Sequence, residues 1–505
     1  MSTPAAQYKR RLTLEQLRFS NSFARLPGHF HSRVLPTPLG SPYLIHFNSL
    51  AAALIDLDPA EAERADFPVI FNGGKLLAGS EPLAMLYAGH QFGHYVKQLG
   101  DGRAIILAEV MTAQGERWEL QLKGAGQTPY SRAGDGRAVQ RSTIREYLCS
   151  EAMHGLGIPT TRALCIVGSD EEVYRESIES GAMLLRMAPS HVRFGSFEVF
   201  YYRNQPTELR TLADYVIDHH YPEFKGQADR YLAMYREIVL RTARLIADWQ
   251  LVGFAHGVMN TDNMSILGLT LDYGPFGFLD DYQPGFVCNH SDHQGRYAFD
   301  RQPDVALWNL SCLGQALLPL FDDNGEAAAE MAMAQFDVYQ EAFRAHYNAG
   351  LRRKLGLRDT RPDDAQLAQR LLGQMATERL DYTNTWRLLG DFASTAGVDN
   401  ARVRDHFIDR SAFTVWADGY AARLRSEQSN DATRRAQMNQ ANPKYVLRNY
   451  LAQNAIERAS EHCDYAAIDR LLRVLVDPFA EHPKDTDLAE PPPDWGRKLS
   501  VSCSS

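Results

Sequence analysis

The chain has 505 residues, 45% of them hydrophobic and 23% charged, enough to bury several cores, which excludes a disulfide-stapled miniprotein, a disordered chain and a fibrous repeat. A formal net charge of -9 argues against a general nucleic-acid or anionic-membrane binder, because either partner demands a basic surface. Six cysteines with no C-x-x-C pair argue against a disulfide framework or a structural zinc site and for a reducing, cytoplasmic setting.

The start, M-S-T-P-A-A-Q-Y-K-R-R, has cations but no apolar stretch of signal-peptide type, and residues 1–60 read as an N-terminal extension. The chain holds no run of 18 or more apolar residues, so no membrane-spanning helix is expected. Residues 61–200 read as a mostly β unit. Its expected strands are F-P-V-I-F-N-G-G from Phe67, A-I-I-L-A-E-V-M from Ala104, W-E-L-Q-L-K from Trp118, and a later pair, A-L-C-I-V-G and G-A-M-L-L-R-M-A. Trp118, Leu120 and Leu122 alternate with Glu119, Gln121 and Lys123, which sets Lys123 on the face opposite the apolar residues. From Ser142 to Gly155 the pattern turns helical.

Residues 201–480 read as a helical unit. Tyr235, Ile238, Leu245, Ile246 and Trp249 recur at helical spacing, and the same test predicts helices over 305–320, 366–380 and 445–475. Residues 481–505, with E-P-P-P-D-W and Cys503, read as an extended polar tail.

Four features carry the chemistry. The first is G-D-G-R at Gly100 to Arg103, a turn whose glycines let backbone N–H groups approach phosphate oxygens; alone, it equally suits a hairpin. The second is Lys123 at a strand end, followed by a helix bearing Glu146, the pairing with which protein kinases position phosphates. The third is H-G-V-M-N-T-D-N at His256 to Asn263, and the fourth is L-D-Y-G with Asp272 nine residues beyond Asn263. Kinase-type phosphotransferases carry H-G-D-x-x-x-x-N and then a D-F-G-like triplet, so Asn263 and Asp272 are candidate ligands for Mg²⁺ or Mn²⁺ on a bound nucleotide. The position of the usual catalytic aspartate is Val258, which accepts no proton. Asp262 is the nearest replacement carboxylate. Arg186, Arg193 and a second turn, G-D-G-R at Gly134 to Arg137, add cations that would suit a terminal phosphate, although each, taken alone, reads first as a surface or salt-bridging arginine.

The strings Y-A-G-H-Q-F-G-H at 87–94, Q-L-G-D-G-R-A at 98–104, L-K-G-A-G-Q-T-P-Y-S-R at 122–132, H-G-V-M-N-T-D-N-M-S at 256–265 and N-P-K-Y-V-L-R-N at 442–449 resemble the selenoprotein O (SelO/YdiU) family. The resemblance runs from about residue 40 to the C-terminus. It implies an α+β, protein-kinase-like bilobal fold: an N-lobe over 61–200 with the nucleotide-binding loops, and a helical C-lobe over 201–480 with the catalytic and metal-binding segment. It implies transfer of AMP from ATP to Ser, Thr or Tyr hydroxyls of proteins, with the nucleotide flipped relative to kinases, and leaves UMP transfer from UTP with manganese open. Carried over residue by residue, it gives Lys123, Arg186 and Arg193 the terminal phosphates. Gly100, Gly102, Arg103, Asp135 and Gly136 would line the nucleotide site, with Glu146 paired to Lys123. Asp262 would accept the proton, while Asn263 and Asp272 would hold the metal and Asp272 would also meet the nucleotide. It further implies a redox pair, Cys288 with Cys503. Cys149, Cys165, Cys312 and Cys463 are expected in the core, and His90 and His94 to be structural. The expected partners are protein substrates and ATP, with no nucleic acid and no membrane, for a protein acting as a monomer. A kinase using Asp262 as an unusual base and a non-catalytic nucleotide-binding scaffold are the competing readings.

Overall fold

A computed structural model describes residues 11–501. The fold mixes helices with one large antiparallel sheet. In chain order the strands are β1 (His31–Arg33), β2 (Tyr43–Phe47), β3 (Leu83–Met85), β4 (Gly89–Gln91), β5 (His94–Val96), β6 (Ala104–Met111), β7 (Arg117–Lys123), β8 (Ala138–Val139), β9 (Arg162–Tyr174), β10 (Ile178–Ala188), β11 (Phe254–Ala255) and β12 (Gly277–Phe278). The main sheet has the order β1-β3-β6-β7-β10-β9-β2, with β8 also on β10.

The period-two pattern of β7 sets the geometry of the site. Leu120 and Leu122 enter an apolar layer with Ile105, Leu107, Met183, Leu185 and Met187. The other face carries Glu119, Gln121 and Lys123, and the β7–β10 register puts Arg186 opposite Gln121 and Leu184 opposite Lys123. Cross-strand partners share a face, so Arg186 and Lys123 project from the sheet together. Covering that face is α1 (Gln140–Gly155), whose Ile144, Tyr147 and Leu148 are buried.

The remaining helices are α2 (Phe194–Tyr202), α3 (Pro206–His220), α4 (Arg230–Val252), α5 (Gln302–Phe321), α6 (Gly325–Lys354), α7 (Asp364–Glu378), α8 (Tyr382–Leu388), α9 (Arg410–Ser426), α10 (Asp431–Ala441), α11 (Asn449–His462) and α12 (Ala466–Leu475), with further single turns between them. Among the described residues, Phe299–Phe321 is the one stretch long and apolar enough to cross a membrane. In the fold it is a core helix, with Val305, Ala306, Leu310, Leu313, Ala316 and Leu317 buried.

Three local expectations are corrected. Phe67–Ile70 is a short helix with Pro68 in its first turn, a place where proline's missing N–H costs nothing. The helix expected over 445–475 is two, α11 and α12, because Cys463 takes a left-handed conformation (φ 51°) and ends the first. Cys463 is exposed, whereas Cys149, Cys165 and Cys312 are buried. Leu14, Leu17, Phe23 and Phe30 near the start of the chain are buried, and β1 and β2 extend the sheet.

Candidate functional site

The segment that carries Asp262 and Asp272 is fixed at both ends. Helix α4 ends on Gly253, whose left-handed backbone (φ 74°) no side chain accepts cheaply, and an added Cβ would lie 2.7 Å from the Tyr382 ring. The chain then enters β11, which pairs with β12 at Phe254–Phe278 and Ala255–Gly277. The intervening residues, 256–276, therefore form a loop closed by a ribbon. Inside it, His256 accepts from the Val258 N–H through Nδ1 (3.3 Å) and donates from Nε2 to the Leu271 carbonyl (2.9 Å). Burial lowers the His256 pKa, which favours the neutral imidazole that both bonds require. His256 thus ties the Asp262 arm to the Asp272 arm.

Asp272 is itself left-handed (φ 57°), an uncommon state that a short polar side chain tolerates and that surrounding structure must hold. Its carboxylate does so: Oδ1 accepts from Arg186 at 2.5 Å and Oδ2 from Arg193 at 2.7 Å, with Lys123 3.9 Å away. Burial alone would raise the Asp272 pKa, but Arg186, then Arg193 and Lys123, hold it well below the usual carboxylate range. Glu146 on α1 accepts from Lys123 and from Arg186 (3.0 Å). Burial lowers the Lys123 pKa against the opposing pull of Glu146. Arg193 also donates to the Asp262 carbonyl (2.7 Å) and stacks 4.5 Å from the Tyr87 ring centroid. Three cations and two carboxylates thus form one buried cluster.

That cluster forms the floor of a cleft of about 810 Å³. Gly100, Gly102, Arg103, Lys123, Asp135, Gly136, Arg186, Asp262, Asn263 and Asp272 all line it. Glu146 and Arg193 stand behind Lys123 and Asp272. The Gly100–Arg103 turn is pinned from below: Asp101 is buried and accepts from the Met85 N–H (3.0 Å), the Tyr87 hydroxyl (3.3 Å) and Gln121 Nε2 (3.2 Å). Gly100 has φ 104°, and an added Cβ would lie 2.5 Å from the Tyr130 ring. In the adjoining loop, Asp135 receives a two-point grip from Arg175 at 2.7 and 3.0 Å, and Gly136 (φ 72°) packs against the Gly126 backbone, 2.1 Å from where a Cβ would be.

Asp262 lines the same cleft, its backbone joined to the cluster through Arg193. Burial raises its pKa to about 7, opposed by a hydrogen bond from Gln91 and by Arg193. Asn263 donates Nδ2 to the Val258 carbonyl (2.9 Å), which orients the amide and leaves Oδ1 as its donor atom toward a cation. An amide oxygen and a carboxylate fit a hard cation whose remaining ligands come from phosphate and water. No cluster of three His, Cys, Asp or Glu able to hold a metal occurs among the described residues.

One element was not anticipated as part of the site. The β4–β5 hairpin, from the Y-A-G-H-Q-F-G-H string, lies against the Asp262 segment: the His90 N–H donates to Thr261 Oγ1 (2.7 Å), Gln91 Nε2 to Asp262 Oδ2 (3.1 Å) and the Phe92 N–H to Asn260 Oδ1 (3.3 Å). His90 pairs with buried Glu198 at 2.7 Å, and His94 is exposed. Cys288 is buried beside the Ala255 carbonyl (3.5 Å) and under Gly257. Cys503 lies outside the described residues.

A model of the protein adenylyltransferase SelO family matches residues 13–476. The chain is 60% identical over 493 residues to the protein nucleotidyltransferase YdiU of Myxococcus xanthus, covering 98% of this chain and 100% of that protein. It is 58% identical over 492 residues to the protein nucleotidyltransferase YdiU of Thioalkalivibrio sulfidiphilus, covering 97% of this chain and 99% of that one. The cleft, its cations and these matches together define an enzyme of the nucleotidyltransferase class. Within that class, the chain belongs to the SelO/YdiU family.

Proposed function

We propose that this enzyme transfers AMP from ATP to Ser, Thr or Tyr hydroxyls of proteins, on a kinase-like bilobal frame with the β-rich N-lobe over 61–200, the helical C-lobe over 201–480 and a tail over 481–505. The observation that carries the reading is the pairing of Lys123, Arg186 and Arg193 with Glu146 and Asp272 in one cluster, with Asp262 lining the same cleft. Three cations exceed what a kinase's single lysine supplies and suit the β- and γ-phosphates. With those phosphates gripped at the floor, the α-phosphorus is the one left for attack. Val258 supplies no base, and Asp262 does. The acceptor oxygen bonds to the α-phosphorus, the α–β phosphoanhydride bond breaks, pyrophosphate leaves with its electron pair, and the hydroxyl proton passes to Asp262.

Gly100, Gly102, Arg103, Asp135 and Gly136 line the nucleotide's path, and Glu146 positions Lys123. Asn263 and Asp272 would hold Mg²⁺ or Mn²⁺, which when bound neutralises phosphate charge and aids departure of pyrophosphate. UTP is a second candidate donor with manganese. The enzyme acts as a cytoplasmic monomer with no nucleic-acid or membrane partner. The reading includes a redox clamp, Cys288 to Cys503, that limits access to the cleft. It is supported by the path of the tail, where Val501 bridges to Asn289 and the His290 N–H donates to the Val501 carbonyl (2.9 Å).

The test is label transfer from ATP carrying ³²P at the α- or the γ-position, with and without EDTA. Label from the α-position alone, lost in EDTA and in Asp262→Ala, is expected. Label from the γ-position would make the enzyme a kinase, and none from either would leave a scaffold. For the clamp, Cys503→Ser should remove any difference between oxidising and reducing conditions.

A further inference from the structure

We infer that Gln91 is a positioning residue for the transfer step, fixing the plane in which the Asp262 carboxylate meets the acceptor hydroxyl; the inference rests on the reading of Asp262 as proton acceptor. The two carboxylate oxygens of Asp262 stand in different surroundings. Oδ1 is buried with no hydrogen-bond partner among the described residues, and it is packed against Gly89, where an added Cβ would lie 2.8 Å from it. Oδ2 accepts from Gln91 Nε2 at 3.1 Å. The two oxygens are chemically equivalent, so a half turn about the Cβ–Cγ bond restores the same arrangement, whereas any smaller turn takes the carboxylate out of the plane of the Gln91 bond. Gln91 opposes such a turn, because it is the donor the carboxylate would lose, and a charged acceptor gains most from it. Gln91 and Asp262 both line the cleft, so the plane that this bond holds is the one an acceptor hydroxyl in the cleft meets.

Gln91 can act this way because its backbone is immobilised relative to Asp262. The residue before it donates to Thr261 Oγ1 (2.7 Å), and the residue after it to Asn260 Oδ1 (3.3 Å) and the Tyr297 hydroxyl (2.9 Å). Phe92 is held in a left-handed conformation (φ 50°) at the hairpin tip, a state that a bulky residue keeps only when its surroundings impose it. At the base of the hairpin, the Ala88 N–H donates to the Gly195 carbonyl (3.1 Å). The hairpin is thus bolted to the two residues that precede Asp262, and the Gln91 side chain adds a bond that reaches the reacting group itself.

The experiment measures label transfer from [α-³²P]ATP to the proteins of a bacterial lysate by Gln91→Leu, Gln91→Met and Asp262→Asn, with rates at saturating ATP separated from the ATP concentration giving half the maximal rate. Melting temperature and binding of a fluorescent ATP analogue are read in parallel. The expected result is a loss of roughly ten- to a hundredfold in the saturated rate for both Gln91 variants, with half-saturation, nucleotide binding and melting temperature as in the wild type. A structural role would instead move melting temperature or binding. Full activity of both Gln91 variants beside an inactive Asp262→Asn would overturn the inference alone. An active Asp262→Asn would overturn the reading of Asp262 and the inference with it.

Discussion

Asp272→Asn separates the two tasks assigned to the buried cluster. Both Asp272 oxygens are taken by guanidinium groups, at 2.5 and 2.7 Å. Asparagine keeps the shape and removes the charge, leaving Glu146 as the carboxylate paired with Lys123 and Arg186 and Arg193 without an ion-pair partner among the described residues. Removing one partner of a buried pair costs about 3 kcal/mol or more. Unfolding entropy of roughly 2 cal/mol/K per residue, over 505 residues, converts that into a melting temperature lower by about 3 °C. ATP without metal should reverse the order. In the wild type its phosphates must take both arginines from Asp272 and then lie beside a bare carboxylate, whereas the variant offers its arginines at once. Each charge-assisted bond that need not be broken is worth about 1.5 kcal/mol or more, so the variant should bind metal-free ATP at least about tenfold more tightly. Added Mg²⁺ should strengthen wild-type binding and leave the variant unchanged, while transfer by the variant is lost. Calorimetry in EDTA and in Mg²⁺, with thermal melting, reads all of this. Equal or weaker metal-free ATP binding by the variant would refute the idea that Asp272 holds the arginines in reserve.

Gly89→Ala would bring a methyl group 2.8 Å from Asp262 Oδ1 and 3.0 Å from Thr261 Oγ1; the saturated transfer rate should fall by roughly a hundredfold while a fluorescent nucleotide still binds. Arg186→Lys keeps the charge but loses the fork that spans Gln121, Glu146 and Asp272, so half-saturation by ATP should rise by about tenfold. Lys354 at the end of α6 is buried against Trp386 and Tyr382, and burial lowers its pKa to about 7. The unfolded chain binds more protons above that value, so this residue's contribution makes stability rise with pH from about 7 toward the ordinary lysine range. Lys354→Met should flatten that part of the melting-temperature profile and stabilise the enzyme at neutral pH by on the order of 2 kcal/mol.

The sequence made some of this legible and hid the rest for physical reasons. Period two in W-E-L-Q-L-K gave β7 and the face of Lys123, because one side of the strand is apolar. The same local reading misassigned Phe67–Ile70, where a proline in the first helical turn mimics a turn before a strand. It also passed over α6, whose 30 residues bury only scattered positions such as Ala328, Ala332 and Tyr339. At the site, residue types and order gave the Lys123, Glu146, Asn263 and Asp272 set as a group. Gln91 was invisible, because its bond to Asp262 spans 171 positions and no local period records it. The mutual capture of Arg186, Arg193 and Asp272 was equally hidden, since separate motifs do not say which charges neutralise one another.

The tail offers an experimental handle. Val501 pairs with Asn289, and Asn289 Nδ2 donates to the Gly257 carbonyl (3.1 Å), one residue from Val258 on the cleft wall. Val501 is therefore held near one wall of the cleft. A peptide joined there by a short flexible linker would meet Asp262 at an effective concentration in the millimolar range. Acceptor sequences too weak to detect in free solution could then be ranked as tethered reporters, whereas an affinity tag at the same place would compete with the substrate for the approach.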